Sequence, residues 1–428
     1  MRYRLIAGLI CLISVISGVL APPATAVSTP APPSTGLRIS TDIGAMVRVN
    51  STARLLAGLA PSYPNHFPIA DTQAWKDHSV AMRTAWAQVG SSRVSTMSSW
   101  RDTAISSTCP AGKTLLYPFS GPDFFNAYWL FPDCENYVLF GLEHIGEVPD
   151  LDNLHERDVG RLLGDVRQAM SDLVDRNYFI TENMSRQLRT VQLRGVVPLL
   201  IIPMAMSDLE ILRIYPHDLP AQVRQRMASA NVSVNANGLK SIDRPPRGPM
   251  RQINGITIEF RRTGSGTIQR LNYFTLDATD RGLEHYPEFL AYVNSLAPTN
   301  TLVKAASYLL HGREFRKLRT TLLSVSAFLV QDDTGVPFAM LPAKQWDVRL
   351  YGRYETPIRP FERAFQPALD KAFRAAQPAP LPFEFGYSFS DKRDNRSNVL
   401  VGRKNAIALA DPPALRRVSA SPSDIVRK

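Results

Sequence analysis

The chain has 428 residues, 44% of them hydrophobic and 20% charged, with 33 prolines, 24 glycines and three cysteines. Those proportions exclude a disulfide-stapled miniprotein, a collagen-like chain and a wholly disordered one, and they supply enough apolar material for a large core. The formal net charge of +11 is unevenly spread: the last 39 residues alone carry +5.

The first 26 residues read as a signal peptide. Arg2 and Arg4 make a basic start, Leu5 to Leu20 form an apolar run, and Ala24-Thr25-Ala26 gives the small-x-small pattern of a cleavage site. The run is shorter than a bilayer span and is followed by Pro22 and Pro23. The mature protein is therefore expected to be exported, periplasmic or extracellular. Residues 27–45 begin with Ser, Thr, Pro and Ala and read as a disordered linker. Residues 46–108 read as a helical N-terminal segment packed on the body, with Trp75, Trp86 and Trp100 on an apolar face.

Once Cys11 leaves with the signal, Cys109 and Cys134 remain, an even count that predicts a disulfide in an oxidising compartment. Residues 109–389 read as an α/β body with a mixed, partly parallel sheet and flanking helices. Thr114 to Phe119 is a short apolar strand, Phe124 to Phe131 fits two helical turns, and Tyr137 to Leu142 is a second strand. Strand, turn, helix and strand within about 30 residues make a βαβ unit, which implies parallel pairing. Leu154 to Phe179 carries an amphipathic helical stripe. Gly195 to Met206 reads as a buried strand, too short to cross a membrane, and no transmembrane span is expected in the mature chain.

Further on, Ile256 to Phe260 and Ile268 to Leu276 alternate at period two around a Gly-rich turn and predict a hairpin. Helical patterns cover Glu284 to Leu296 and Thr301 to Leu323. A second hairpin is expected from Ala327 to Met340 about the turn Gln331 to Gly335, and Trp346 to Tyr351 and Phe383 to Phe389 read as closing strands. Residues 390–428 read as a basic disordered tail. A nucleic-acid binder carries its positive charge on a folded face among aromatic rings, whereas this tail has no aromatic residue. No nucleic-acid partner is expected; an anionic envelope polymer or a small molecule suits the charge better.

The run Tyr117-Pro118-Phe119-Ser120-Gly121-Pro122-Asp123, then Phe131-Pro132 and Tyr137-Val138-Leu139, resembles a stretch shared by a group of uncharacterised exported bacterial proteins. The resemblance extends to Lys304-Ala305-Ala306-Ser307-Tyr308-Leu309 and to Gln331-Asp332-Asp333 with Gly335 and Pro337, and covers roughly Ala53 to Phe389. It implies one shared body and an exported bacterial setting, and it adds no catalytic residue.

The polar corner after the first strand is the candidate site. Ligands of α/β sheets bind outside the carboxyl ends of strands, where Ser120 and Asp123 lie, with Glu143 and His144 closing the next strand. The layout resembles the first βαβ of a nucleotide- or S-adenosylmethionine-binding fold, whose acid accepts ribose hydroxyls. The turn, however, has one glycine where the phosphate fingerprint has three, and Pro122 stiffens it, so no cofactor is expected. Ser120, Asp123, Glu143 and His144 are thus expected to bind a small ligand or polymer. Two alternatives stay open: a cofactor-independent hydrolase using Ser120, Asp123 and His144, and a non-catalytic envelope protein. Ser120 is flanked by Pro118 and Pro122 where a nucleophile elbow needs small residues, and no HxxEH-like or HxH spacing points to a metal. Asp332 and Asp333 read as turn residues.

Overall fold

The computed structural model describes residues 43–62, 67–179, 184, 193–217, 219, 253–387 and 395–405. The stretch read as a signal peptide, most of that read as a linker and the last 23 residues lie outside them.

Nine strands form one sheet: β1 (Thr114–Pro118), β2 (Asn136–Gly141), β3 (Leu209–Pro216), β4 (Asn254–Arg262), β5 (Gln269–Thr275), β6 (Thr299–Val303), β7 (Ser326–Gln331), β8 (Trp346–Gly352) and β9 (Asn398–Lys404). Their spatial order is β3-β4-β5-β2-β1-β6-β7-β9-β8. The five central strands pair in parallel, and antiparallel strands extend both edges. The expected βαβ unit is there. Thr114 pairs with Asn136 and Pro118 with Phe140 in parallel register, with the helix Phe124–Leu130 between them. The expected hairpin is β4–β5, with Ile258 opposite Leu271.

Each face of the sheet has its own core. One buries the helices Ile43–Leu56, Gln73–Val89, Ser95–Ala104, Phe124–Leu130, Glu156–Arg176 and Val197–Met206 against residues such as Leu115, Leu139 and Leu271. The other buries Pro287–Ser295 and Arg316–Val325 against Leu116, Val138 and Leu329. The N-terminal segment is helical as expected, its first helix beginning at Ile43 inside the stretch read as linker.

Five readings need correction. The run at Gly195 contains a helix, Val197–Met206, not a strand. Every residue from Val197 to Ala205 is buried, so the run has no amphipathic period to reveal it. Pro198 sits in the first turn, where its missing N–H costs nothing. The helical pattern from Thr301 to Leu323 divides into β6, a loop and the helix Arg316–Val325. Thr299, Asn300 and Thr301 are polar yet wholly buried, because Asn300 bonds the Ala111 and Thr114 carbonyls and Thr301 bonds Ser326.

The second hairpin does not form. Strand β7 pairs with β6 and β9, and the Gln331 side-chain amide closes the following loop by bonding both the N–H and the carbonyl of Val336. Finally, the supposed tail contributes β9, which runs between β7 and β8, while Phe383 to Tyr387 is loop and Ser388 and Phe389 lie outside the described residues. Cys109 and Cys134 are bonded, with Cα atoms 5.2 Å apart. Among the described residues no helix is long and apolar enough to cross a membrane.

Candidate functional site

From β1 the chain steps to β2 on one side, and later returns to β6 on the other. The connections leaving β1 and β6 therefore diverge, and the carboxyl ends of these two strands frame the crevice in which doubly wound sheets bind ligands. The backbone is strained there. Phe119 and Gly121 after β1, and Ala305, Ser307 and Tyr308 after β6, have φ between 50° and 56°. For a non-glycine residue such a conformation costs about 1–3 kcal/mol and persists only where neighbours enforce it. Asp332 is one such neighbour. Its carboxylate accepts the Ala305 N–H at 2.8 Å and the Thr334 N–H at 3.0 Å, while Thr334 Oγ1 accepts the Ala306 N–H at 2.7 Å.

Beneath this loop lies a buried ion pair. Lys304, one residue past β6, places Nζ 2.7 Å from Asp123 Oδ2, and the side chains are 1% and 2% exposed. The same oxygen accepts the Tyr117 hydroxyl at 2.8 Å, and Oδ1 accepts the Asn126 N–H at 3.1 Å. Lys304 also donates to the Asn177 carbonyl, and Asn126 Nδ2 donates to Asn177 Oδ1 at 2.9 Å. Asn177 is the left-handed cap of the helix Glu156–Arg176. One knot thus ties β1, β6 and two helices. Burial lowers the Lys304 pKa while Asp123 pulls it back; burial and Asp123 together raise the Tyr117 hydroxyl well above its ordinary value. Arg93, in a π-helical stretch between two helices, donates to the Leu173 and Val174 carbonyls at 2.8 and 3.0 Å, a cation placed on the negative end of that helix.

Asp332 and Asp333 turn out to be more than turn residues. Both are buried. Burial first, then the charge of Asp333, pushes Asp332 up to about 7, and burial raises Asp333 as well. Asp333 accepts the Tyr308 hydroxyl and, at 2.9 Å, Asn398 Nδ2. An aromatic row of Tyr308, Phe361, Tyr387 and Tyr178 lies alongside, with successive ring centroids 5.0–5.8 Å apart.

The four expected site residues separate into three environments. Ser120 is buried, its hydroxyl donating to the Gly121 carbonyl at 3.0 Å. Asp123 is drawn inward to Lys304. Glu143 is half-buried beside the turn: Oε2 accepts the Tyr273 hydroxyl at 3.2 Å, and a Cβ at Gly141 would overlap the carboxylate. His144 is exposed, its carbonyl receiving the Val196 N–H at 2.9 Å. Among the described residues no hydrogen bond joins His144 to Ser120 or Asp123, so Ser120 lacks the base a serine nucleophile needs. Met184 packs over Gly121: a Cβ at that glycine would meet its Cε at 3.1 Å. Among the described residues no group of three His, Cys, Asp or Glu is placed to hold a metal.

Lys304, Asn177, Tyr308 and the acid pair were not legible as parts of one site, since they are up to 156 residues apart in sequence and only the strand order brings them together. The run Lys304 to Tyr308 was read as part of a helical pattern and the Asp332-Asp333 pair as a turn, so neither was read as part of a site. Set against protein-family models, curated proteins and solved structures, the chain matches none.

Proposed function

We propose that this is an exported protein that binds a small polyhydroxylated molecule, such as a monosaccharide or nucleoside, at the carboxyl ends of β1 and β2. The observation that carries the reading is the position of Glu143. An acidic side chain at the end of the second parallel strand folds back toward the turn after the first, beside a switch in strand order. A carboxylate oxygen can accept more than one hydrogen bond, so Glu143, which already accepts the Tyr273 hydroxyl, suits a ligand hydroxyl beside it. Phosphorylated ligands suit the turn poorly, because Gly121 is covered by Met184 and stands where three glycines would be needed. Export draws support from the basic and apolar N-terminus and from the Cys109–Cys134 bond, which persists in oxidising compartments.

The test is thermal denaturation of the mature chain against panels of monosaccharides and nucleosides. A binder at a hundred times its dissociation constant adds about 2.7 kcal/mol of stability. Glu143→Gln is expected to abolish that gain and His144→Ala to keep it. A panel without any stabilising member, or a Glu143→Gln protein that keeps the gain, overturns the reading.

A further inference from the structure

At the other end of the sheet, where β7 starts and β9 ends, lies a cavity of about 150 Å³. Its floor is apolar, formed by Phe328 of β7, Val401 of β9 and Ala104 at the end of the helix Ser95–Ala104. Its wall is charged, formed by Asp347 and Arg349 of β8 and Arg403 of β9. The register explains why they meet. Phe328 is opposite Arg403 and Arg403 opposite Asp347, while Val401 is opposite Arg349 two residues along, so all five share one face.

The charges do not cancel. Asp347 and Arg349 approach only to 3.9 Å, and both are largely exposed, which makes a weak pair. Arg403 lies over the Phe328 ring at 5.3 Å and forms no ion pair among the described residues. Two guanidinium groups therefore border one apolar floor with a single carboxylate between them. A guanidinium presents paired N–H donors that match the two oxygens of a carboxylate. A cavity of roughly 150 Å³ admits one benzene-sized ring.

We infer that this cavity is a binding site for a single six-membered ring bearing one carboxylate, taken by Arg403 and Arg349 while the ring lies against Val401 and Ala104. The chemistry is shared by aromatic acids and hexuronic acids, including the sugar acids of anionic polymers. The site is separate from the crevice at Glu143 and stands whether or not that crevice is occupied.

Titration calorimetry of the mature chain with benzoate, glucuronate, benzyl alcohol and glucose tests it. At least one acid is expected to bind with a dissociation constant of about 1 mM or tighter, with its neutral counterpart at least about tenfold weaker. Binding of benzoate alone assigns an aromatic acid; binding of glucuronate assigns a sugar acid. Arg403→Gln should weaken that binding by about tenfold or more, and Asp347→Asn, which removes the competing carboxylate, should tighten it severalfold. The melting temperature of each variant reports whether it folds. The inference fails if neither acid binds up to about 20 mM, if the neutral counterparts bind equally, or if folded Arg403→Gln binds as the parent does.

Discussion

Lys304 and Asp123 are paired in a region that excludes water, each satisfied by the other and by the hydrogen bonds around them. Removing one member strands the partner, which costs about 3–5 kcal/mol, whereas an apolar replacement of both is close to neutral where volumes match. Lys304→Met is therefore expected to lower the urea stability by about that amount, and Lys304→Met combined with Asp123→Leu to recover a large part of it. Additive losses in the double variant would show that the two side chains act separately. The pair also explains why Asp123, read from sequence as a ligand contact, is unsuited to that role. Its two oxygens already accept from Lys304, Tyr117 and Asn126, so a ligand would have to break a satisfied network. Glu143, half-buried beside the turn, is the acid on which the proposed binding rests.

Strand β9 illustrates how an element can be invisible locally and necessary globally. Asn398–Lys404 follows a polar stretch and lies in the most basic part of the chain, yet it is hydrogen-bonded to β7 on one side and β8 on the other. A chain stopped after Ser397 loses both ladders and the Asn398 contact to Asp333. It is expected to accumulate as insoluble or protease-sensitive material, while a chain stopped after Asn405 keeps the whole sheet and its cooperative melting. Equal behaviour of the two truncations in limited proteolysis would contradict this. The disulfide acts on another part of the sheet, linking the segment that leads into β1 with the one that leads into β2. A closed loop of about 26 residues is worth roughly 3.5 kcal/mol in the chain-entropy model. Reduction should then lower the melting temperature by roughly 5 °C for a chain of this size. What the sequence made legible follows the same division. The units built from neighbours, the βαβ and the β4–β5 hairpin, showed their apolar periods plainly. The helix Val197–Met206 and strand β6 did not, because one is apolar on every side and the other carries buried polar residues satisfied by distant partners. For the same reason Ser120, Asp123 and Glu143 could be placed at one sheet end from sequence, but Lys304 and Asp332 could not.

The folded protein as a whole faces opposing demands from proton binding. Burial lowers His78 and His311 to about 4. His78 is held neutral between the Leu56 carbonyl, 2.8 Å from Nε2, and the Arg167 guanidinium, 3.1 Å from Nδ1. Asp332 moves the other way, up to about 7, and Asp333 moves with it. Stability rises with pH wherever the unfolded chain binds more protons than the folded one. For the two histidines that window runs from about 4 up to their ordinary 6.5, so acidification through it removes stability. For Asp332 the folded state holds a proton the unfolded chain has released between 3.8 and about 7, so alkalinisation through that range removes stability. Each group contributes at most about 1.4 kcal/mol per pH unit. Between about 4 and 6.5 the two histidines and the acid pair pull in opposite directions, and above 6.5 only the acid pair acts. The urea midpoint is therefore expected to vary little from pH 4.5 to 6.5 and then to decline toward pH 7.5. Asp332→Asn should abolish the decline above pH 6.5, and His78→Gln should leave that decline in place while making the midpoint fall with rising pH below it as well. A decline that survives in Asp332→Asn would assign it to Asp333 instead, and would mean that the strained loop after β6 is held by an Asp332 carboxylate already ionised at neutral pH.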